Sequence, residues 1–366
     1  MKVMVISPKN KTLFNFRGDL IKEIIARGHE VVAIGPNKDY IVDVLALGVK
    51  FIEVPFTKDN ISVLGDINYY MDLKKAIKAE KPDIVFSYTI KPVVYGSLAA
   101  RSAGVKRVYP MVTGLGRVYT SGGLRAKILQ IITGALYKQA FKGCTKVIFQ
   151  NSDDLKLLLN YMPEKKAVRV DGSGVNMKIF NANALPDEFV FLMIARVIKE
   201  KGIFEFAEAA RIVKKEYPEA QFILLGGYDS SVGAIKPEEL QPYILDGSIE
   251  FPGEIKNVVP YLKMAKIFVL PTYYREGLPR TILEAMAMAR PVITTDWPGC
   301  RDAVTDGVNG LLVKPRVIKD LAEKMKYMIE NSERVKQMSE NSLRLCKEKY
   351  NVNIVNQHML KIMGIK

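Results

Sequence analysis

Twelve short apolar runs fall in two successive series, and stretches of helical periodicity separate them. The first series is Val3–Ile6, Val31–Ile34, Phe51–Val54, Ile84–Ser87, Val108–Val112 and Val147–Gln150. The second is Phe189–Ala195, Gln221–Leu225, Ile249–Phe251, Ile267–Leu270, Val292–Thr295 and Gly310–Val313. Runs too short for helices, alternating with helical segments, specify parallel sheets joined by crossover helices. One segment shows its own stop: Leu20–Ala26 runs into Arg27-Gly28, where a helix ends. The chain has 366 residues, more than a single hydrophobic core usually serves. The expectation is therefore an α/β protein of two Rossmann-like domains. Asp171-Gly172-Ser173-Gly174 and Asn181–Asp187 have linker composition and place the boundary near 171–187. The domains are expected at 1–180 and 181–345, with a charged helix over 346–366 packing back on the first.

Charge separates the halves. Residues 1–170 carry 27 Lys/Arg against 14 Asp/Glu, whereas residues 171–366 carry 27 against 25, so the first half holds nearly all of the net +15. No acid lies between Asp83 and Asp153, while ten basic residues do. Such a surface attracts anionic lipid, a diphosphate or nucleic acid. Cys144, Cys300 and Cys346 are scattered, form no disulfide framework or metal-spaced cluster, and suit a reducing compartment. Met1-Lys2 leads straight into the first apolar run, which reads as a strand and not a signal peptide, and no stretch is long enough to span a bilayer.

Within the acid-free stretch, Leu124, Ile128, Ile131, Ile132, Ala135, Leu136 and Phe141 are spaced like one face of a helix from Gly122 to Lys142. Arg125, Lys127, Lys138 and Lys142 flank them. Two readings stand open: a basic amphipathic helix in a membrane interface, or a helix packed on the first sheet.

The chemistry concentrates in the second half. The run Leu192–Ala195 is followed by Arg196 and Lys201, just before a helix at Ile203–Lys215. Two cations at a strand end beside a helix start can clamp a phosphate or diphosphate. The run Phe268–Leu270 leads through Arg275-Glu276-Gly277-Leu278 to Pro279, which suits a first helical turn. That loop would offer backbone N–H groups to an anion. Glu284 sits among Leu283, Ala285, Met286 and Ala287. Either it is an exposed helix residue, or it is buried and needs donors such as a ribose diol.

The spacing of Glu276 and Glu284, E-x7-E, resembles that of retaining glycosyltransferases of the GT-B fold, family 4. Arg196…Lys201, Thr294-Thr295-Asp296, Pro298–Arg301 and Asp306–Gly310 are similar to the same family across the second half. In the first half, Tyr88–Pro92 and Thr113-Gly114-Leu115-Gly116 resemble members that assemble O-antigen, capsule or N-glycan precursors on undecaprenyl diphosphate. The resemblance implies a GT-B fold, with two Rossmann-like domains facing across a cleft. It implies that Arg196 and Lys201 neutralise the donor diphosphate, and that Glu284 binds the ribose. Glu276, with the backbone of Gly277, Leu278 and Pro279, would hold the sugar and phosphate. Gly226-Gly227 and the stretch Gly253–Asn257, including Ile255, would approach the base. A loop Phe14–Gly18 would bring Gly18 to the diphosphate. Lys91, Thr113, Gly114 and Arg117 become acceptor or membrane candidates beside the four basic helix residues. The sequence departs from the family in three places. Lys91 stands where many members carry His, leaving His29 with a structural role; Ala289 stands where Gly is common; Asn176 stands where Asp is usual.

The implied activity is a retaining transfer of a hexose or N-acetylhexosamine from a UDP-sugar to an undecaprenyl-diphosphate-linked saccharide. No Asp-x-Asp is present, so no metal or other cofactor is called for. The expected partners are the UDP-sugar, the polyprenyl-linked acceptor and an anionic membrane, not nucleic acid, and the expected location is the inner face of the plasma membrane. A UDP-sugar epimerase of similar architecture would want several carboxylates and a His for proton transfer. A basic nucleic-acid binder would want interleaved aromatics and bases. Neither pattern is evident.

Overall fold

Successive side chains of β1 (Lys2–Ile6) enter two different cores. Val3 and Val5 join Val31 and Ala33 on one face of the sheet, while Met4 and Ile6 join Val32 and Ile34 on the other. A strand buried on both faces reads as a continuous apolar run, which is why the runs were legible without alternation. The computed structural model describes residues 1–56, 62–120, 122–231 and 233–366; the side chain of Arg125, one of the membrane candidates, lies outside the described residues.

The described residues divide into two units, Met1–Ser173 with Val352–Lys366, and Gly174–Asn351. In the first, β1 is joined by β2 (Glu30–Gly35), β3 (Lys50–Glu53), β4 (Ile84–Tyr88), β5 (Arg107–Val112), β6 (Val147–Phe149) and β7 (Ala167–Arg169). All pair in parallel, in the order β3-β2-β1-β4-β5-β6-β7. In the second, β8 (Val190–Ile194), β9 (Gln221–Leu225), β10 (Glu250–Gly253), β11 (Ile267–Leu270), β12 (Val292–Thr295) and β13 (Gly310–Val313) make a parallel sheet, ordered β10-β9-β8-β11-β12-β13. Both sheets reverse strand order once, between β1 and β4 and between β8 and β11. Ligands of doubly wound folds bind at the carboxyl edge of such a reversal.

The helices Asn10–Ala26 and Val352–Met363 cover one face of the first sheet, through Leu13, Ile21 and Ile24 and through Met359, Leu360 and Met363. The helices Val63–Glu80, Ile90–Ser102 and Leu124–Phe141 cover the other. Asn10–Ala26 stops as its sequence dictates: Gly28 has φ +78° and its N–H bonds Ile25 O at 2.9 Å. Ser62 caps Val63–Glu80 by accepting the N–H of Gly65 at 3.1 Å.

Four expectations change. Phe14–Gly18 is not a loop but the middle of the helix Asn10–Ala26, because Leu13, Arg17, Leu20, Ile21 and Ile24 recur at helical spacing and are buried. Gly174–Phe180 belongs to the second unit and not the first, since Val175 and Phe180 are buried in its core and Val175 bridges Asn351. Cys346 and Tyr350 lie in that same core, so the returning segment begins at Val352 and not at 346. Strand β7 was not foreseen, because three residues beside Lys165 and Lys166 carry too little apolar signal. Ala289, in place of the common Gly, adopts φ +63° just after the helix Arg280–Ala287, a conformation that Gly would hold without strain.

Leu360 is buried against the first sheet's core, while the adjacent Lys361 is exposed. Leu360→Ala is therefore expected to cost about 2–5 kcal/mol, and Lys361→Ala under about 0.5 kcal/mol, in urea unfolding followed by circular dichroism. Equal effects would mean that the returning helix is not docked.

Candidate active site

The second unit's strand reversal gathers most of the residues singled out in the sequence. The chain leaves β8, passes Arg196 and turns through Lys199–Lys201 to Gly202. Gly202 has φ +80°, and a Cβ there would lie 2.2 Å from the carbonyl oxygen of Pro271. Only glycine lets this turn lie flush on the loop that follows β11. Glu200 O fastens the two together, accepting the N–H groups of Tyr273 and Tyr274, each at 2.9 Å, and the Thr272 hydroxyl at 3.0 Å. From β12, the Thr294 hydroxyl donates to Leu270 O at 2.7 Å, and that of Thr295 to Thr272 O. Gly299 (φ +84°) closes from a third side: a Cβ there would stand 2.3 Å from Gly277 O and 2.8 Å from Glu276 O.

On this frame Lys201 and Glu276, 75 residues apart, meet with Nζ 2.5 Å from Oε1. Lys201 is buried and also lies 5.7 Å from the Tyr274 ring centre. A buried ammonium needs such partners. Arg196 donates from Nη1 to Asp229 Oδ2 at 2.8 Å, and Asp229 accepts the N–H of Ser231 at 2.7 Å through Oδ1. Burial works against the Arg196 charge, yet the bond and charge of Asp229, with Tyr274 and Glu276, hold its pKa above the ordinary arginine value. Burial would raise the Asp229 carboxyl, but Ser231 and Arg196 outweigh it and hold it well below the usual range. Arg196 thus lies within the electrostatic reach of Glu276, and the three form one charged group at the carboxyl ends of β8 and β11.

Leu278 is buried and Pro279 precedes a helix that begins at Arg280, so Pro279 is the residue before the helix and not its first turn. Glu284 is largely buried, its Oε1 2.9 Å from Arg280 Nε. Burial pushes the Glu284 carboxyl up to about 7, with Arg280 opposing. At the end of β9, Gly226 is compelled by crowding against backbone, whereas Gly227 meets only the far end of the Glu254 side chain. A Cβ on Gly226 would stand 1.8 Å from Ala195 O, and one on Gly227 2.8 Å from Glu254 Oε2. Ile255 is half-buried against the core.

The first unit holds the remaining candidates. At its own strand reversal the Tyr88 hydroxyl donates to Ser7 Oγ at 2.7 Å, and the buried Arg17 guanidinium lies 5.1 Å from the Tyr88 ring centre. Lys91 is ion-paired with Asp66 at 2.8 Å, and Asp66 also accepts from the Tyr95 hydroxyl at 2.9 Å. Thr113 and Gly114 (φ +101°) follow β5, and Arg117 lies on the short helix Gly116–Thr120. Gly18 is buried mid-helix against the side chain of Leu47. His29 bridges the amino group of Met1 and Lys366 O, at 3.3 Å each.

Leu124–Phe141 turns its small and aromatic residues inward. Ala126, Gly134, Tyr137 and Phe141 face the protein, with Gly134 pressed on Tyr161, whereas Leu124, Ile128, Ile131 and Ile132 face outward with Lys127, Lys138 and Lys142. Sequence reasoning missed Asp229, Arg280, Asp66 and Tyr95. Arg280 was detectable, four residues before Glu284. The others join through tertiary structure and left no local signal.

The raised Glu284 value has a consequence for stability. Folded Glu284 keeps its proton to about pH 7, against 4.5 for the ordinary carboxyl. Its favourable contribution is thus full below the lower value and lost as pH rises through the upper. Glu284→Gln cannot ionise, so its melting temperature relative to wild type should rise more at about pH 8 than at about pH 5. An equal difference at both would restore an ordinary carboxyl.

The sequence family described as "Glycosyl transferases group 1" matches residues 176–344, and "Glycosyl transferase 4-like" matches residues 2–151. A Campylobacter jejuni protein named N,N'-diacetylbacillosaminyl-diphospho-undecaprenol alpha-1,3-N-acetylgalactosaminyltransferase is 29% identical, over 99% of this chain and 98% of its own. An Escherichia coli UDP-Gal:alpha-D-GlcNAc-diphosphoundecaprenol alpha-1,3-galactosyltransferase is 28% identical, over 76% of this chain and 74% of its own. The crystal structure of Anabaena HepE in complex with UDP shares the fold, with a TM-score of 0.81 over 100% of both chains at 14% identity. With two matching family segments over nearly its whole length and two doubly wound parallel sheets, the chain belongs to the family 4 glycosyltransferases of the GT-B fold.

Proposed function

We propose that this glycosyltransferase moves a hexose or N-acetylhexosamine, with retention, from a UDP-sugar to a hydroxyl of an undecaprenyl-diphosphate-linked saccharide. The observation that carries the donor side is the charged group of Arg196, Lys201 and Glu276 at the strand reversal. The names of the Campylobacter and Escherichia relatives, both acting on diphospho-undecaprenol-linked sugars, support the acceptor.

Each residue then has a task. As the glycosidic C–O bond breaks, negative charge grows on the departing β-phosphate. Arg196 and Lys201 are fixed beforehand by Asp229 and Glu276, so they meet that charge with little reorganisation. A carboxylate has about four acceptor positions, so Glu276 can hold Lys201 and still accept a sugar hydroxyl. Glu284 accepts the ribose hydroxyls. The backbone of Gly277, Leu278 and Pro279 holds the sugar and phosphate, with Gly227 and Ile255 near the base. The acceptor oxygen attacks from the face the nucleotide leaves, and its proton passes to the leaving phosphate oxygen, so the products are UDP and the extended glycan. This scheme uses two cations where other enzymes use a metal ion. On the first unit, Lys91, Thr113, Gly114 and Arg117 serve the acceptor. The outward aliphatic face of Leu124–Phe141, with its lysines, rests on the anionic inner leaflet of the plasma membrane. Among the described residues no helix is long and apolar enough to cross a membrane.

Purified protein, membrane-extracted undecaprenyl-diphosphate glycans and a panel of UDP-sugars should give UDP release with one sugar, unaffected by EDTA. Glu276→Ala and Lys201→Ala should each lower turnover on the order of 10²-fold or more. Undiminished release in either variant would remove these residues from the reaction, and an inverted anomeric linkage by NMR would overturn retention. Lys127→Glu/Lys138→Glu/Lys142→Glu should weaken cosedimentation with phosphatidylglycerol vesicles; unaltered sedimentation would refute the membrane contact.

A further inference from the structure

Three helices on one face of the first sheet run the same way. Val63–Glu80, Ile90–Ser102 and Leu124–Phe141 each lead from one parallel strand to the next, β3 to β4, β4 to β5 and β5 to β6. Each therefore starts at the carboxyl edge of the sheet and runs away from it. Ile90–Ser102 packs between the other two.

Both outer helices crowd exposed aliphatic side chains into the half nearest that edge. On Val63–Glu80, Val63, Leu64, Ile67 and Met71 are 52–76% exposed. On Leu124–Phe141, Leu124, Ile128, Ile131 and Ile132 are 49–76% exposed. The inward sides are already filled, by Tyr69, Leu73 and Ile77 in one helix and by Tyr137 and Phe141 in the other. The outward groups are thus not needed by the core. Between the first and middle helices a cleft of about 540 Å³, lined in part by Ile67, Tyr70, Tyr95 and Leu98, extends the apolar surface.

Basic residues follow the aliphatic groups on both helices. Lys75 and Lys78 lie four and seven residues beyond Met71, and Lys138 and Lys142 seven and eleven beyond Ile131; all four are exposed, and Lys127 is exposed beside Ile128. At 1.5 Å per residue the offsets beyond Met71 and Ile131 are about 6–17 Å along the helix. The acid on the apolar half of Val63–Glu80, Asp66, is paired with Lys91; farther along, Asp72 is exposed and Glu80 is paired with Lys2 and Lys50. Aliphatic groups at one edge with lysines beside and behind them complement an anionic bilayer: the apolar groups enter the lipid and the lysines meet the phosphates.

We infer that the membrane contact is two-armed. The first turns of Val63–Glu80 form a second arm beside Leu124–Phe141, and the protein stands on the membrane on the carboxyl edge of its first sheet. This rests on the membrane contact proposed above and adds a binding surface that the helix 124–141 alone does not contain.

The cysteines Cys144, Cys300 and Cys346 are all buried, so one introduced surface cysteine can carry an environment-sensitive dye. Leu64→Cys, Ile131→Cys and Ala79→Cys, the last at the far end of the first helix, would be compared on phosphatidylglycerol vesicles and in buffer. Blue-shifted emission at positions 64 and 131, but not 79, is expected. A shift at 131 alone would overturn the second arm and leave the single-helix contact standing. No shift at either, with no cosedimentation, would overturn the membrane contact itself. A shift without vesicles that grows with protein concentration would assign the patch to a second copy of the chain and overturn the inference. Independently, Leu64→Ser/Ile67→Ser should weaken vesicle affinity on the order of tenfold while the melting temperature is kept. Unchanged affinity would count against the second arm.

Discussion

Right-handed crossovers between parallel strands oblige a doubly wound sheet to reverse its order somewhere, and the connections on either side of the reversal diverge to opposite faces. In the second unit the diverging connections are those leaving β8 and β11, and each brings charge: Arg196 and Lys201 from one, Glu276 from the other. An isolated ammonium as buried as that of Lys201 would be expensive. The ion pair with Glu276 makes the burial tolerable, and the sheet topology holds the two partners together. Neither residue keeps its position if the strand order changes, so the site's electrostatics rest on the same constraint as the fold.

Close approach of backbone does the rest. Gly202 lies on Pro271, Gly226 on Ala195, and Gly299 on Glu276 and Gly277, and a Cβ at any of them would fall well inside contact distance. These glycines cluster at one strand edge, joining loops from β8, β9, β11 and β12 into one rigid frame. For the proposed transfer a rigid frame is what stabilising the leaving group would require, because charges that must first move into place lose much of their effect. The buried Thr294 and Thr295 serve the same end, tying β12 to the loop that carries Glu276.

The fold was largely legible because the central strands are buried on both faces and read as continuous apolar runs; the half-exposed edge strands β3 and β10 kept short apolar runs, and β7 did not. The E-x7-E spacing and the pair Arg196…Lys201 were legible because each sits on one strand–loop–helix segment. What stayed hidden was pairing across the sequence: Asp229 on Arg196 and Asp66 on Lys91 are joined only by tertiary structure. Gly18 misled for a different reason: a loop at Phe14–Gly18 was what the family resemblance implied, whereas here the buried Leu13, Arg17, Leu20, Ile21 and Ile24 recur at helical spacing and carry the helix through it.

The helix Leu124–Phe141 carries the same lesson further. Its periodicity marked a genuine apolar face, and the default expectation is that such a face turns inward. Close packing reverses it. The inner side must lie against Tyr161, which a Cβ at position 134 would strike at 2.4 Å, so glycine and alanine occupy that side with two aromatic rings. The branched aliphatics are left outside. Scattered single apolar residues on a surface need no explanation, but a contiguous aliphatic face does. The face recurs at the same edge on Val63–Glu80, a helix of unrelated sequence whose inner side is filled by Tyr69, Leu73 and Ile77. Two helices that each satisfy the core with one side and stay apolar on the other, with exposed lysines on both, are what the proposed anionic-membrane contact requires.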